Sequence, residues 1–173
     1  MSKKKEDLLQ HSERLFYEYG FHAIGLKRVV NEANVALMTL YNHFASKEEL
    51  VLAVLKRRGE RYFKLLQSSI QNYSSASAAE LAEGHLAWIR QHSSKGCMFL
   101  RAKEEFASSE EYEIVEYVNQ HKQALISYFE ELGFQQKQAI QLALLFEGAT
   151  ALAEVLDAEQ VSEQLRHLVK GIS

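Results

Sequence analysis

The chain has 173 residues, 47% of them apolar and 25% charged, the balance of an ordinary folded domain, which excludes a disordered chain. Proline is absent, where average usage of about 5% would supply roughly eight or nine. Long helices therefore run uninterrupted and the expected class is all-α, with about nine helices. The formal net charge of −3 divides unevenly: residues 1–61 carry 11 Lys/Arg against 8 Asp/Glu, and residues 62–173 carry 9 against 15. That division suits an anion-binding head on an acidic body, although solvated helix faces would also produce it. Cys97 is the single cysteine, which rules out an internal disulfide framework and a multi-cysteine zinc site. The opening MSKKKEDLLQ has no apolar stretch for a signal peptide, so a cytoplasmic protein without cofactor or metal is expected.

Leu8, Ser12, Leu15, Phe16 and Tyr19 recur at helical spacing and Gly20 follows, which predicts a first helix from Lys5 to Tyr19. Leu26, Val29, Val30 and Ala33 make a two-turn helix, Asn34 supplies a sharp turn, and Leu37, Leu40, Tyr41 and Phe44 mark a second short helix. Ser46 and Glu49 read as a capping box opening a fourth helix of more than 25 residues, with Leu50, Val51, Val54, Leu55, Tyr62, Leu65, Leu66 and Ile70 on its buried side. The low-complexity stretch 73–79 is a connector, closed by a second capping box at Ser77 and Glu80. A fifth helix carries Leu81, Leu86, Trp88 and Ile89, followed by a Ser-Ser-Lys-Gly turn and a segment from Cys97 to Ala107. Ser108 with Glu111 caps a helix bearing Ile114, Val115, Val118, Leu125, Phe129 and Leu132, which Gly133 stops. Residues 139–156 are apolar on nearly every side, with Glu147 and Glu154 the only charges. Eighteen residues with two carboxylates make a poor membrane span, so a partner subunit is expected to cover this helix. A last helix with Val161, Leu165, Leu168, Val169 and Ile172 sets a second apolar stripe beside it.

The run Thr39, Leu40, Tyr41, Asn42, His43, Phe44, then Lys47, Glu48 and Leu50, preceded by FYEYGF and LKRVVNEANV, resembles the DNA-binding head of the TetR family of bacterial repressors over residues 8–55. The resemblance implies a helix-turn-helix head at residues 1–46, with residues 47–173 forming an effector-binding and dimerisation domain joined to it by the fourth helix. A helix seated in the major groove buries one face and turns polar or short side chains to base edges. Leu40 and Phe44, four apart, take the inner face, leaving Leu37, Met38, Thr39, Asn42 and His43 near the groove. Tyr41 and Lys47 match residues that family members place on phosphates, and Lys27 is a further phosphate candidate. Asn42 pairs well with adenine through two hydrogen bonds. Ala36 and Leu37-Met38 stand where the family commonly has Ser/Thr and Lys-Gly, which makes thymine-methyl contacts plausible; Gly25-Leu26 replaces another usual hydroxyl.

In the body the resemblance implies a four-helix dimer interface, for which Leu142, Leu145, Ala149, Leu152, Leu156, Leu165 and Leu168 are candidates. Two heads would then read a palindromic operator on double-stranded DNA, and a small-molecule effector would release it. Trp88, Met98, Phe99, Phe106, Tyr112 and Tyr117 either line an effector pocket or fill the core. Cys97 follows Lys95-Gly96 at a helix start, where dipole and cation raise reactivity. The segment Gly96-Cys97-Met98-Phe99-Leu100 resembles that of the N-ethylmaleimide-reductase repressors, whose cysteine senses electrophiles. The alternative is a cysteine acting as a small apolar filler. His85 and His92 are two turns apart, about 10.5 Å along the axis, too far for one metal ion. Glu104-Glu105 and Glu110-Glu111-Glu113 read as a solvated face. Lys56, Arg57, Arg58 and Arg61 read either as positive field near DNA or as solubilising charge. No phosphate loop, nucleophile elbow or zincin motif is present, so no enzyme is expected. The competing class is a helical metabolite-binding or scaffold protein that lacks specific DNA binding.

Overall fold

The computed structural model describes residues 2–92, 95–108 and 112–172. Among these residues the fold is all-helical, with nine α-helices and no strand. The helices are α1 (Lys3–Tyr19), α2 (Leu26–Glu32), α3 (Leu37–Tyr41), α4 (Lys47–Ser69), α5 (Ala78–His92), α6 (Met98–Phe106), α7 (Tyr112–Glu131), α8 (Gln136–Leu152) and α9 (Ala158–Leu168). No described helix is long and apolar enough to cross a membrane. The chain packs as two compact units, residues 1–59 with 98–119, and residues 60–97 with 120–173.

In the first unit α1 begins two residues before the expected Lys5, because Ser2 caps it by accepting from the Lys5 N–H at 3.3 Å. It ends at Gly20, whose φ of +90° lets its N–H return to the Phe16 carbonyl at 2.9 Å. Leu8, Leu15, Phe16, Phe21, Ile24 and Val29 bury completely, or nearly so, where α1 packs on α2 and α3. Asn34 takes a φ of +51° in the turn between α2 and α3, the left-handed conformation that asparagine tolerates. Arg57 and Arg58 do not serve as free positive field. Arg57 pairs with Glu6 and Glu13, while Arg58, 4% exposed, meets the buried Glu13 at 2.8 Å and lies over the Tyr17 ring. Removing one partner of such a buried pair costs about 3–5 kcal/mol.

Glu105 of α6 is likewise no solvated side chain. Its carboxylate accepts from the backbone N–H groups of Phe21 at 3.0 Å and His22 at 2.7 Å. Arg101, one turn earlier, donates to the Tyr17 carbonyl at 2.7 Å, and Phe106 sets its ring edge-on to Phe21. Thus α6 satisfies backbone groups left open at the end of α1, which a short helix-to-helix turn cannot satisfy alone. Glu110 and Glu111, and with them the expected cap at Ser108 and Glu111, lie outside the described residues.

In the second unit the capping box is present, with Glu80 N–H to Ser77 Oγ at 3.2 Å and Ser77 N–H to the Glu80 carboxylate at 2.8 Å. Helix α4 has 23 residues, shorter than expected. The Ser68 and Ser69 hydroxyls turn back onto the Leu65 and Leu66 carbonyls at its end, competing with the helical bonds. Helix α8 is shifted from the expected 139–156: a Gln135–Gln138 capping box starts it early, and residues 153–156 form a turn before Asp157 caps α9. The core gathers Tyr62, Leu66, Leu81, Leu86, Phe129, Leu142 and Phe146.

Candidate functional site

In the first unit α3 buries one side and leaves the other open. Leu40 and Phe44, at 0% and 2% exposure, anchor α3. The opposite side leaves Met38 70%, Tyr41 48% and Leu37 37% exposed, with Asn42 exposed and Thr39 and His43 half-buried. Large apolar groups held in water on a five-residue helix gain nothing by folding, which makes this face a candidate contact surface. Lys27 is exposed on α2. Lys47 opens α4 half-buried; burial lowers its pKa, against the raising influence of Glu48 and Glu105. The Ser46 hydroxyl accepts from the Glu49 N–H at 3.1 Å, while the Glu49 carboxylate reaches the Ala45 N–H. This brace fixes where α4 starts and hence where Lys47 stands.

The second unit holds a cluster around Cys97, a partly buried residue. The cation against the sulfur is Lys122 of α7, with Nζ 3.4 Å from Sγ, and Lys122 also pairs with Glu147 of α8. Burial acts to lower the Lys122 pKa, yet Cys97 and Glu147 raise it above the ordinary lysine value, so the ammonium charge is retained. Gly96 has a φ of +72°, and a Cβ there would fall 2.0 Å from a Glu154 carboxylate oxygen. Only glycine fits that turn.

Residues 5–54 match the family model described as bacterial regulatory proteins, tetR family. The HTH-type transcriptional activator FasR of Mycolicibacterium smegmatis is 40% identical over 55 residues, 32% of this chain and 25% of the relative. The HTH-type transcriptional repressor NemR of Escherichia coli is 29% identical over 105 residues, 58% of this chain and 53% of that protein. These alignments therefore span from a quarter to about half of the relatives' lengths. A crystal structure of a TetR-family transcriptional regulator from Streptomyces coelicolor superimposes with a TM-score of 0.86 at 28% identity, covering 99% of this chain and 88% of that one. Reduced E. coli NemR gives a TM-score of 0.73 at 25% identity, covering 98% and 97%.

Residues 5–54 thus match the TetR-family head, and the chain is similar over its length to solved TetR-family regulators.

The remaining candidates fall into separate groups. In the first unit Met98, Phe99 and Phe106 are buried, Phe106 against Phe21 and His22, while Tyr117 lies under Lys56 and Tyr112 is 71% exposed. In the second unit Trp88 packs edge-on to Tyr62 and stacks on His92, and Arg61 meets His92 Nε2 at 2.7 Å. Within the second unit Leu142, Ala149 and Leu165 are buried in its own core, and Leu145 is half-buried. Leu152, Leu156 and Leu168 are exposed, joined by Ile140 and Leu144, which the sequence reading did not single out. Together Leu144, Leu152, Leu156 and Leu168 rim an apolar groove of about 480 Å³ between α8 and α9. No described group of three His, Cys, Asp or Glu side chains is arranged for a metal.

A buried polar centre was missed. The Tyr62 hydroxyl donates to His85 Nδ1 at 2.9 Å, and His85 Nε2 faces the Phe146 carbonyl at 2.9 Å and Thr150 Oγ1 at 3.2 Å. A carbonyl only accepts, so Nε2 carries a proton, and burial keeps the ring neutral, which leaves Nδ1 as the acceptor. The imidazole stacks on Phe146, with centroids 4.2 Å apart. His121, also buried, meets the Tyr62 and Phe63 rings. Burial drives both histidines down to a pKa of about 3, with Lys122 adding to the effect.

Proposed function

We propose that this chain is a homodimeric DNA-binding repressor that reads a palindromic operator and is released from it by an electrophilic small molecule acting at Cys97. The observation that carries the DNA-binding reading is the outward face of α3, where Leu37, Met38, Tyr41 and Asn42 stand exposed above the buried Leu40 and Phe44. Met38 and Leu37 are suited to thymine methyl groups and Asn42 to an adenine edge, while Tyr41, Lys27 and Lys47 serve phosphates. Repression is favoured over activation because the similarity to the NemR repressor runs over 105 residues, beyond the head, whereas that to the FasR activator runs over 55. The partly buried Cys97, with an ammonium 3.4 Å from its sulfur, supports covalent effector sensing, since reactive cysteines sit in electropositive, partly open surroundings. Helices α8 and α9 supply the partner face, and the protein acts in the cytoplasm without enzymatic turnover.

The test is selection of duplexes from a random pool by the purified protein, with and without a quinone. A palindromic site lost on quinone treatment is expected, and Cys97→Ser is expected to keep the site and lose the response. A response unchanged in Cys97→Ser overturns the thiol's role. Failure to select any site replaces the regulator by a helical scaffold.

A further inference from the structure

We infer that Glu105 is a positioning residue for DNA recognition: though carried by α6, its carboxylate fixes how α2 and α3 leave α1, and so where the base-reading side chains stand. The inference rests on the DNA-binding reading above and deepens it. Every contact involved lies within the first unit. The carboxylate accepts from the Phe21 N–H at 3.0 Å and the His22 N–H at 2.7 Å, and the exposed His22 imidazole stands 3.6 Å from it. Local carbonyls accept from Gly20 at 2.9 Å and from Ile24 at 3.4 Å, so Glu105 closes the middle of the turn at 20–25. Gly20 leaves room for it, since a Cβ there would fall 3.0 Å from Glu105 Oε1. Neither α2 nor α3 sets its own start by a side chain, because Gly25 and Ala36 at their N-caps offer no hydrogen bond of the usual capping kind. What orients these two short helices is then the burial of Val29, Val30, Leu40 and Phe44, which is non-directional, together with the carboxylate, which is directional and charge-assisted. The turn at Asn34 ties α3 to α2, so a shift of α2 against α1 carries the reading helix with it.

Charge and placement act in opposite directions at this residue, which separates the two. Burial lowers the pKa of Lys47, and Glu48 and Glu105 oppose it, which puts the Glu105 charge within electrostatic reach of a phosphate candidate. A carboxylate there repels a polyanion. Through charge alone, removing it tightens DNA binding, and does so for any sequence, because phosphate contacts carry no base preference. Through placement, removing it weakens binding to the selected site, since paired hydrogen bonds and methyl contacts to base edges depend on where the side chains stand. Binding to other sequences, which rests on the phosphates, is spared.

The experiment uses the full chain in three variants. Glu105→Gln removes the charge and turns one acceptor oxygen into a donor, and Glu105→Asp keeps the charge but withdraws it by one methylene. Glu104→Gln removes a charge from the exposed neighbouring residue. Affinities for the selected duplex and for a scrambled one are measured over a salt series, with helicity followed in parallel. Both Glu105 variants are expected to bind the selected duplex on the order of tenfold more weakly per head, the scale of one lost base contact. Their affinity for the scrambled duplex is expected to stay level in Glu105→Asp and to stay level or rise in Glu105→Gln. The salt slope is expected to remain that of the wild type, since no phosphate contact is removed. Glu104→Gln is expected to keep wild-type selectivity. A fall in the amount of folded protein lowers both affinities by one factor, so the ratio between the duplexes reads placement and not stability; should Glu105→Gln fail to fold, Glu105→Asp carries the test. A ratio equal to that of the wild type overturns the inference, as does an equal loss of selectivity in Glu104→Gln. A wild-type protein that selects no duplex overturns the DNA-binding reading, and this inference with it.

Discussion

Stability to urea is expected to fall steeply as pH drops from 6.5 to 5, by about 3 kcal/mol in total. The cause is the pair of buried neutral imidazoles. His85 and His121 have pKa values of about 3 in the fold, and return to about 6.5 when the chain unfolds. The unfolded chain therefore binds more protons than the folded one throughout the interval between those values, and stability falls as pH falls. At neutral pH both rings are neutral in either state and the contribution is fully present; it is lost progressively below 6.5. Two protons correspond to nearly 3 kcal/mol per pH unit on the steep part of the curve. The groups facing His85 are Tyr62, Thr150 and the Phe146 carbonyl, and Lys122 lies near both histidines. None of these is a carboxylate able to stabilise an imidazolium, and burial pushes the Tyr62 phenol well above its usual range, so it remains a donor. The interval from 6.5 to 5 also lies above the range in which ordinary carboxylates titrate. Urea titrations at half-unit pH steps measure the slope, and His121→Leu is expected to halve it. A stability that stays flat from pH 6.5 to 5 would mean that these rings are solvated or paired in the folded protein.

The head was legible because its signals are local. Leu40 and Phe44 are four apart on one short helix, Asn34 supplies its turn, and Gly20 ends α1 within a few residues of what it completes. The capping box at Ser77 and Glu80 is legible for the same reason. The contacts that escaped join residues distant in sequence: Glu105 with Phe21 and His22, Arg58 with Glu13, Lys122 with Cys97. Each of these charged side chains reads from sequence as a solvated group, because nothing in its own helix shows that a backbone N–H or an opposite charge waits across the fold. The buried histidines differ, since a signal for them was present. His85 is four residues from both Leu81 and Ile89, and His121 is three from Val118 and four from Leu125, so the helical period already places each ring on a buried stripe. What the period leaves out is the partner, Tyr62 for His85, and without it a buried histidine and an unexplained polar interruption look alike.

Replacing Leu144 and Leu152 together by glutamate is expected to weaken operator binding by on the order of 10²-fold or more while leaving the helical fold in place. Both side chains lie on α8 and are 68% and 50% exposed in the single chain, so the substitution removes little of the core, which is carried on the same helix by Ala139, Leu142 and Phe146. Exposure of so many leucines along one groove is costly in water and is relieved when an equivalent apolar face covers it. A two-fold pairing of α8 and α9 with their copies brings Leu144 and Leu152 near the same residues of the partner, where four new carboxylates repel one another in a dry interface. In the proposed dimer each head alone grips one half-site. Coupling two of them multiplies affinity through effective concentration, by on the order of 10²-fold or more. The double variant is expected to sediment as a monomer, retain its far-ultraviolet helicity and bind the operator weaker by that factor, while a single half-site is bound as the wild type binds it. Sedimentation equilibrium at micromolar concentration, with titration of whole and half operators, decides the matter. A variant that remains dimeric and binds as before moves the subunit contact away from the α8–α9 groove, and a monomeric wild type removes the requirement for a palindrome altogether.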